Sequence, residues 1–275
     1  MGIDKLQASR FEQKYIINEE TALRLREFVR SYLDLDENGV GRPDYSYPVH
    51  SLYIDSPDST MYWQTINGTK NRFKLRLRFY NDSPETPIFF EIKRRMNNCI
   101  LKQRAAVRRE AVASLLSGAP PEERNLISKG PKSLAALENF CRLMTEMQAT
   151  PKAHIAYLRE AYVPADDNSA RLTMDRLVRV ESEYKARLST QMLHPTLVWG
   201  QNIVLELKFT NRFPSWFGSL VRIFGLTQCG AAKYVDGVTL LNQKQPLHQG
   251  DSLSLKVEHR SGDGCTTSLP GNIAL

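Results

Sequence analysis

Residues 73 to 79 read F-K-L-R-L-R-F, a strand pattern in which successive side chains leave on opposite faces. Lys74, Arg76 and Arg78 therefore share one face, and Phe73, Leu75, Leu77 and Phe79 share the other. The same parity recurs elsewhere. Glu12 and Lys14 stand with Arg10 in R-F-E-Q-K, Glu91 with Lys93 in F-F-E-I-K, Lys102 with Arg104 in I-L-K-Q-R, and Glu206 with Lys208 in L-E-L-K-F. Arginine binds phosphate oxygens through a planar fork and lysine binds them as a point charge. The interleaved carboxylates Glu12, Glu91, Asp175 and Glu206 are hard oxygen donors, suited to a Mn2+ or Mg2+ ion that bridges phosphate oxygens. They could equally balance charge within the stripe. The chemistry such a surface would serve is the binding or transfer of a chain of phosphates.

Two arrangements can carry these stripes. One is the solvated face of an open antiparallel sheet packed on helices. The other is a sheet closed on itself, with the charges turned inward around an anion and the apolar faces covered by helices. An open sheet would expose a dense, self-repelling cationic field, so several such strands together favour closure. The expected class is α+β: a closed antiparallel β-barrel with helices packed outside.

Periodicity predicts strands over 10–17, 49–55, 71–80, 88–94, 100–107, 152–163, 171–180 and 203–210. Those between 71 and 107 have only short polar or proline-containing turns between them, so they form an antiparallel meander. Helices are predicted after Asn18, with an apolar stripe of Leu23, Leu25, Phe28, Val29 and Tyr32, and after Ser56-Pro57-Asp58, carrying Met61, Tyr62 and Ile66. Further helices are expected over 109–117, 133–147, 214–224 and 233–241. Residues 37–48, rich in Gly, Pro and Asp, read as a loop. Residues 1–242 read as one domain and 243–275, polar and rich in Gly and Ser, as a flexible tail.

Composition narrows the function. The 275 residues carry 37 Lys and Arg against 30 Asp and Glu, a formal +7, which is modest enough that the placement of charge decides more than its total. With 41% hydrophobic and 24% charged residues, collagenous, coiled-coil and wholly disordered chains are excluded. No apolar run approaches the roughly 20 residues that cross a bilayer, and the first ten residues lack a signal-peptide core, so a cytoplasmic protein without a membrane segment is expected. The four cysteines, Cys99, Cys141, Cys229 and Cys265, form no C-x-x-C pair, which argues against a zinc site or a disulfide framework. The histidines His50, His154, His194, His248 and His259 sit in no phosphate-binding glycine loop, so a phosphohistidine route is unsupported. Carboxylates within the stripes would repel a nucleic acid, and neither an RNP nor a helix-turn-helix pattern is present.

The ordered set of F-E-Q-K-Y at 11–15, S-L-Y-I-D-S at 51–56, K-L-R-L-R-F-Y at 74–80, F-F-E-I-K at 89–93 and Y-L-R-E-A-Y at 157–162 resembles the VTC (vacuolar transporter chaperone) domain. R-L-T-M-D at 171–175, L-E-L-K-F at 205–209, P-S-W at 214–216 and A-K-Y at 232–234 complete it. That domain is the polyphosphate polymerase branch of the triphosphate tunnel metalloenzymes. The resemblance implies a tunnel in which ATP or another nucleoside triphosphate passes its terminal phosphate to a growing polyphosphate chain, with inorganic polyphosphate, pyrophosphate or triphosphate as partners. It implies catalytic roles for Arg76, Arg78, Lys93, Arg159 and Lys233, and substrate binding by Lys14, Lys102 and Lys208; Lys74, Arg104 and Arg171 are further substrate-binding candidates beside them. It implies Glu206 as principal metal ligand, with Glu12, Glu91 and Asp175 as further candidates.

Two positions depart from the pattern. Arg10 stands where hydrolytic relatives carry the first Glu of E-x-E-x-K, which disfavours a tightly held metal pair, and Ala232 replaces a Ser expected before Lys233. The eukaryotic complexes add membrane helices and an inositol-phosphate-sensing domain, for which this chain has no room, so a membrane partner would be separately encoded. The alternatives are a metal-dependent triphosphatase and a non-catalytic polyphosphate- or nucleotide-binding module.

Overall fold

The computed structural model describes residues 10–97, 99–128, 130–165, 169–210 and 212–244. Its strands are β1 (Arg10–Ile17), β2 (Asp34–Leu35), β3 (Ser46–Asp55), β4 (Asn71–Phe79), β5 (Ile88–Met96), β6 (Cys99–Val107), β7 (Thr150–Val163), β8 (Ala170–Ser182), β9 (Thr196–Leu197) and β10 (Ile203–Thr210). The α-helices are α1 (Glu19–Val29), α2 (Thr60–Ile66), α3 (Val112–Leu116), α4 (Pro131–Glu146), α5 (Ser215–Ile223) and α6 (Lys233–Lys244). The class is mixed α+β with one large antiparallel sheet. Pairing runs β7-β3-β4-β5-β6-β1-β10-β8, and β8 pairs in turn with β7 over Ala153–Tyr162, so the order returns to its first strand. The slightest link is β6 to β1, where Arg10 pairs with Ile100. The short β2 and β9 lie beside β7 and β8.

Because side chains alternate, one face of this sheet is apolar and seeks cover. Leu75, Leu77 and Phe79 of β4, Ile88, Phe90 and Ile92 of β5, and Ala105 and Val107 of β6 are buried under α3 and α4. There Phe140 meets Phe90 edge to face at 4.8 Å between ring centroids. Leu172 and Met174 of β8, Tyr15 of β1, and Leu205, Leu207 and Phe209 of β10 are buried under α1 and α5. A third cluster belongs to the opposite, charged face. Val178 and Val180 of β8, Ala153 and Ile155 of β7, and Val204 of β10 pack against Tyr234 and Val235 of α6. The approach is close: a Cβ on Gly237 would lie 3.0 Å from Val180 Cγ2 and 3.2 Å from its Cβ, so a side chain there would crowd the strand.

Several expectations change in detail. The buried stripe of α1 is Ala22, Leu25 and Val29, while Leu23 and Tyr32 are exposed. Tyr32, beyond the helix, stacks instead on Trp216 at 4.8 Å. Ile66 of α2 is exposed and Met61 is its buried anchor. Residues 37–48 are not loop throughout: two short 3-10 turns precede Ser46, where β3 begins. Pro48 is tolerated there because β3 pairs with β7 along its whole length but with β4 only from His50 onward. The helical stretch from 109 opens as a 3-10 turn, Arg109–Ala111. The last helix continues to Lys244, past the expected tail boundary at 243; the rest of the tail, with His248, His259 and Cys265, lies outside the described residues. His50 and His154 are packed, 4% and 1% exposed, with ring nitrogens 3.1 Å apart.

Helix α1 is fixed at its start by Asn18, whose side-chain oxygen accepts from the Thr21 backbone N–H at 2.8 Å. Asn18→Ala is expected to cost about 1 kcal/mol of stability, read as a lower urea midpoint at unchanged slope.

Candidate functional site

The charged side chains share one face of this sheet, and register explains how they meet. Lys74 is directly opposite Lys93, Arg76 opposite Glu91, and Lys93 and Glu91 are in turn opposite Lys102 and Arg104. On the other side Lys14 is opposite Glu206 and Glu12 opposite Lys208, while Arg171 faces Lys208 and Arg159 faces Asp175. Residues far apart in the chain thereby form two connected clusters.

The first centres on Glu91, which is 0% exposed. Arg76 holds its Oε2 through Nε at 2.8 Å and Nη2 at 2.7 Å, and Arg78 Nη1 lies 3.8 Å away. Lys102 Nζ and Arg104 Nε approach Oε1 at 2.6 and 3.3 Å. Burial pushes this carboxyl up, but Arg76, Arg78 and Lys102 outweigh it and hold it well below the carboxylate range. Burial works unopposed enough on Lys102 to lower its ammonium to about 7 despite Glu91.

The second cluster joins Glu12, Asp175 and Glu206. Lys93 Nζ lies 3.0 Å and Lys14 Nζ 3.2 Å from Glu12. Lys14 also lies 3.6 Å from Glu206 and donates to the Ala231 carbonyl at 2.8 Å. Arg159 grips Asp175 with both prongs, Nε at 2.7 Å and Nη2 at 2.8 Å. Lys233 bridges Asp175 at 2.7 Å and Glu206 at 2.8 Å. Lys208 pairs with Glu206 Oε2, which also takes a bond from Thr173 Oγ1 at 3.4 Å. Burial lowers Lys208 to about 8 against the pull of Glu206, whereas Asp175 and Glu206 together overcome burial at Lys233 and keep it firmly protonated.

Lys233 reaches this cluster because α6 is anchored at its first turn. The Ala232 N–H donates to Asp236 Oδ2 at 2.9 Å, so the side chain inside the helix caps it. Tyr234 stacks on Tyr53 at 4.9 Å and donates to the buried Asp55 at 2.7 Å. The two clusters meet at Tyr157: its hydroxyl accepts from Arg78 Nη2 at 3.1 Å, and Arg159 and Lys233 each lie 5.1 Å from its ring centre.

All of the expected site residues thus lie on strands of the ring or at the start of α6, but not equally. Arg104 sits over the Phe89 ring at 3.3 Å, and Arg171 turns to Asp36 at 2.9 Å. Lys74 faces the Tyr234 ring at 5.8 Å and has no ion pair among the described residues. Burial, with repulsion from Lys14 and Lys93, lowers it to about 7. Residues not singled out from sequence are Ser51, Tyr53 and Tyr157. Ser51 and Tyr53 take bonds from Arg78 at 3.3 Å and Arg76 at 3.1 Å, and the facing cations pull the Tyr53 phenol down against burial. A signal existed: Ser51 and Tyr53 alternate with Leu52 and Ile54, and Tyr157 shares parity with Arg159.

Among the described residues there is no group of three or more metal-ligating side chains, and no helix is long and apolar enough to cross a membrane. Comparison with known proteins places this geometry in context. The chain is 26% identical over 151 residues to "Vacuolar transporter chaperone complex subunit 2" of Schizosaccharomyces pombe, covering 52% of this chain and 20% of that protein. Solved structures with a similar course include a putative adenylate cyclase from Bacillus halodurans, at 14% identity, 81% and 93% coverage and a TM-score of 0.47. Another is the Mimivirus capping enzyme triphosphatase, at 13% identity, 79% and 89% coverage and a TM-score of 0.34. With TM-scores below 0.5, neither carries a functional argument. The VTC domain model matches residues 9–242, which spans every strand and nearly all of the last helix, and the chain therefore belongs to the VTC domain family.

Proposed function

We propose that this protein is a polyphosphate polymerase that transfers the terminal phosphate of ATP or another nucleoside triphosphate to a growing inorganic polyphosphate chain. The observation that carries the reading is the interior itself. A ring of strand pairings turns Lys14, Arg76, Arg78, Lys93, Lys102, Arg159 and Lys208 toward one space, and α6 adds Lys233. We take that ring as a closed barrel and its interior as the tunnel for the phosphates. Phosphoryl transfer asks for positioning and charge neutralisation more than for covalent chemistry. Arg76, Arg78 and Lys93 neutralise the triphosphate, and Arg159 and Lys233 stabilise charge developing on the transferred group. An acceptor phosphate oxygen is already ionised at neutral pH, so no general base is required.

The donor set fits a divalent ion of the Mn2+ or Mg2+ type. Such ions keep several waters and bind through one or two carboxylates plus substrate phosphates. Glu206 and Glu12, both within reach of Lys14, are the carboxylates placed to hold one. When bound it would draw negative charge from the phosphate oxygens. Glu91 and Asp175, each gripped by an arginine fork at short range, act as counter-charges that aim Arg76 and Arg159. A cytoplasmic setting and a membrane-protein partner accompany this reading, the latter supported by the transporter-chaperone complex name of the Schizosaccharomyces pombe relative.

Purified protein with ATP and Mn2+, read at once for long-chain polyphosphate, free phosphate and ADP, tests the proposal. Polymer with ADP is expected. Phosphate without polymer would instead mean water as acceptor and a triphosphatase, and binding without turnover a non-catalytic module.

Burial and neighbouring cations lower Lys74 to about 7, and burial lowers Lys102 to about 7 and Lys208 to about 8, so deprotonation of these lysines is expected to weaken tripolyphosphate affinity as pH rises from 6 to 8, with Lys74 contributing part of that loss. Titration calorimetry across that range with Lys74→Met should show a flatter profile than the wild type. Equal profiles would remove Lys74 from the binding set.

A further inference from the structure

The inward cationic stripe does not end at Lys74 and Lys93. One step further along the β4–β5 ladder Arg72 is directly opposite Arg95, with no register shift between, so both share the face of Lys74, Arg76 and Lys93. Arg94, one residue away, lies on the other face, 5.8 Å from the Phe73 ring, as the alternation requires. Two successive like-charge pairs, Lys74 with Lys93 and Arg72 with Arg95, thus stand across one strand pair, an arrangement that costs stability. Deeper in, carboxylates offset part of that cost: Lys93 has Glu12 at 3.0 Å, and Arg76 has Glu91. At the rim it is not. Arg72 Nη1 donates to the Thr69 carbonyl and Arg95 Nε to the Asn97 carbonyl at 2.9 Å. The remaining guanidinium donors of both have no partner among the described residues, and both side chains are half-buried rather than free in solvent.

We propose that Arg72 and Arg95, with Lys74 behind them, form a rim subsite for the stretch of a long polyphosphate chain that extends beyond the buried clusters. This rests on the polyphosphate reading of the interior and adds where the polymer runs. A strand advances about 3.4 Å per residue, so Arg72 lies roughly 14 Å along β4 from Arg76, farther than a single triphosphate held at Arg76 and Arg78 covers. A polymer threading the interior would cover it, and an unmatched pair of guanidinium forks is what a continuing row of phosphate oxygens satisfies. Burial and the facing Arg95 already disfavour the charge on Arg72, so a phosphate there relieves an existing repulsion.

The test compares wild-type protein with the Arg72→Ala/Arg95→Ala double variant by titration calorimetry at several salt concentrations, using tripolyphosphate and a long-chain polyphosphate as probes. The long-chain affinity is expected to fall about tenfold in the variant. Its salt slope should shrink by roughly one to two, as for the loss of two phosphate contacts. Tripolyphosphate affinity should stay within about twofold, which also reports an intact interior. Unchanged long-chain affinity, or an equal loss for both probes, would overturn the rim subsite. A wild-type protein that bound neither probe would remove the interior reading, and the subsite with it.

Discussion

Arg76→Ala is expected to lower metal-dependent polyphosphate formation from ATP by about ten- to a hundredfold, the loss of one buried charge-assisted contact to the triphosphate, worth about 1.5–3 kcal/mol. Arg76 is 12% exposed at its side chain and is held at three points, by both nitrogens on Glu91 and by Nη1 on the Tyr53 hydroxyl. Its geometry is set before substrate arrives. Glu91 keeps Lys102 and Arg104 after the substitution, so the loss should appear in kcat/KM for ATP with the melting temperature little changed. Glu206→Gln should be comparably inactive for a different reason. It preserves shape but removes the charge to which Lys14, Lys208 and Lys233 are all addressed, along with one of the two carboxylates fitted to a metal. Full activity in both variants, assayed with Mn2+ and ATP, would refute the assignment.

Glu91→Gln should produce the largest loss of stability. A fully buried carboxylate there neutralises Arg76, Arg78, Lys102 and Arg104, and its removal leaves those cations facing one another in a confined interior. Breaking a buried ion pair from one side costs about 3–5 kcal/mol, a large part of the 5–15 kcal/mol that holds a domain folded. The same variant offers an internal check. If the interior binds phosphate chains, tripolyphosphate at a hundred times its Kd should return about 2.7 kcal/mol, so the variant should melt late in its presence and early without it. An exposed pair such as Arg142 with Glu146, 2.6 Å apart but more than half exposed on both sides, is worth at most about 1 kcal/mol and serves as the control. A Glu91→Gln protein as stable as the wild type would mean that the cations relax into solvent and that the interior is not closed.

Much of this molecule is legible in its sequence because a strand encodes its faces locally. The alternation in F-K-L-R-L-R-F assigns Lys74, Arg76 and Arg78 to one side whatever the strand later pairs with, and β1, β4 and β10 form where that alternation is cleanest. Helix faces were read less well. Leu23 and Tyr32 look like core residues on apolarity alone, yet the face of α1 that meets the sheet is the one carrying Ala22, Leu25 and Val29. Orientation of a helix on a sheet is decided by the partner surface, which the local pattern does not contain.

Identity of residue and parity of strand were therefore determined by the sequence alone: which side chains are charged, which share a face, and that a chain of phosphates suits them. The tertiary structure decided who meets whom. Sequence alone does not say which cation each interleaved carboxylate meets; register sets Glu91 opposite Arg76 and Asp175 opposite Arg159. Tyr157 became the junction of two clusters only because β7 and β3 bring it to Arg78, and Lys233 belongs to the site because the first turn of α6 sets its ammonium between Asp175 and Glu206. These are contacts between residues on different elements, from 15 positions apart for Arg76 and Glu91 to 79 for Arg78 and Tyr157. Their energies depend on distance and burial, and neither exists until the ring of strands is formed.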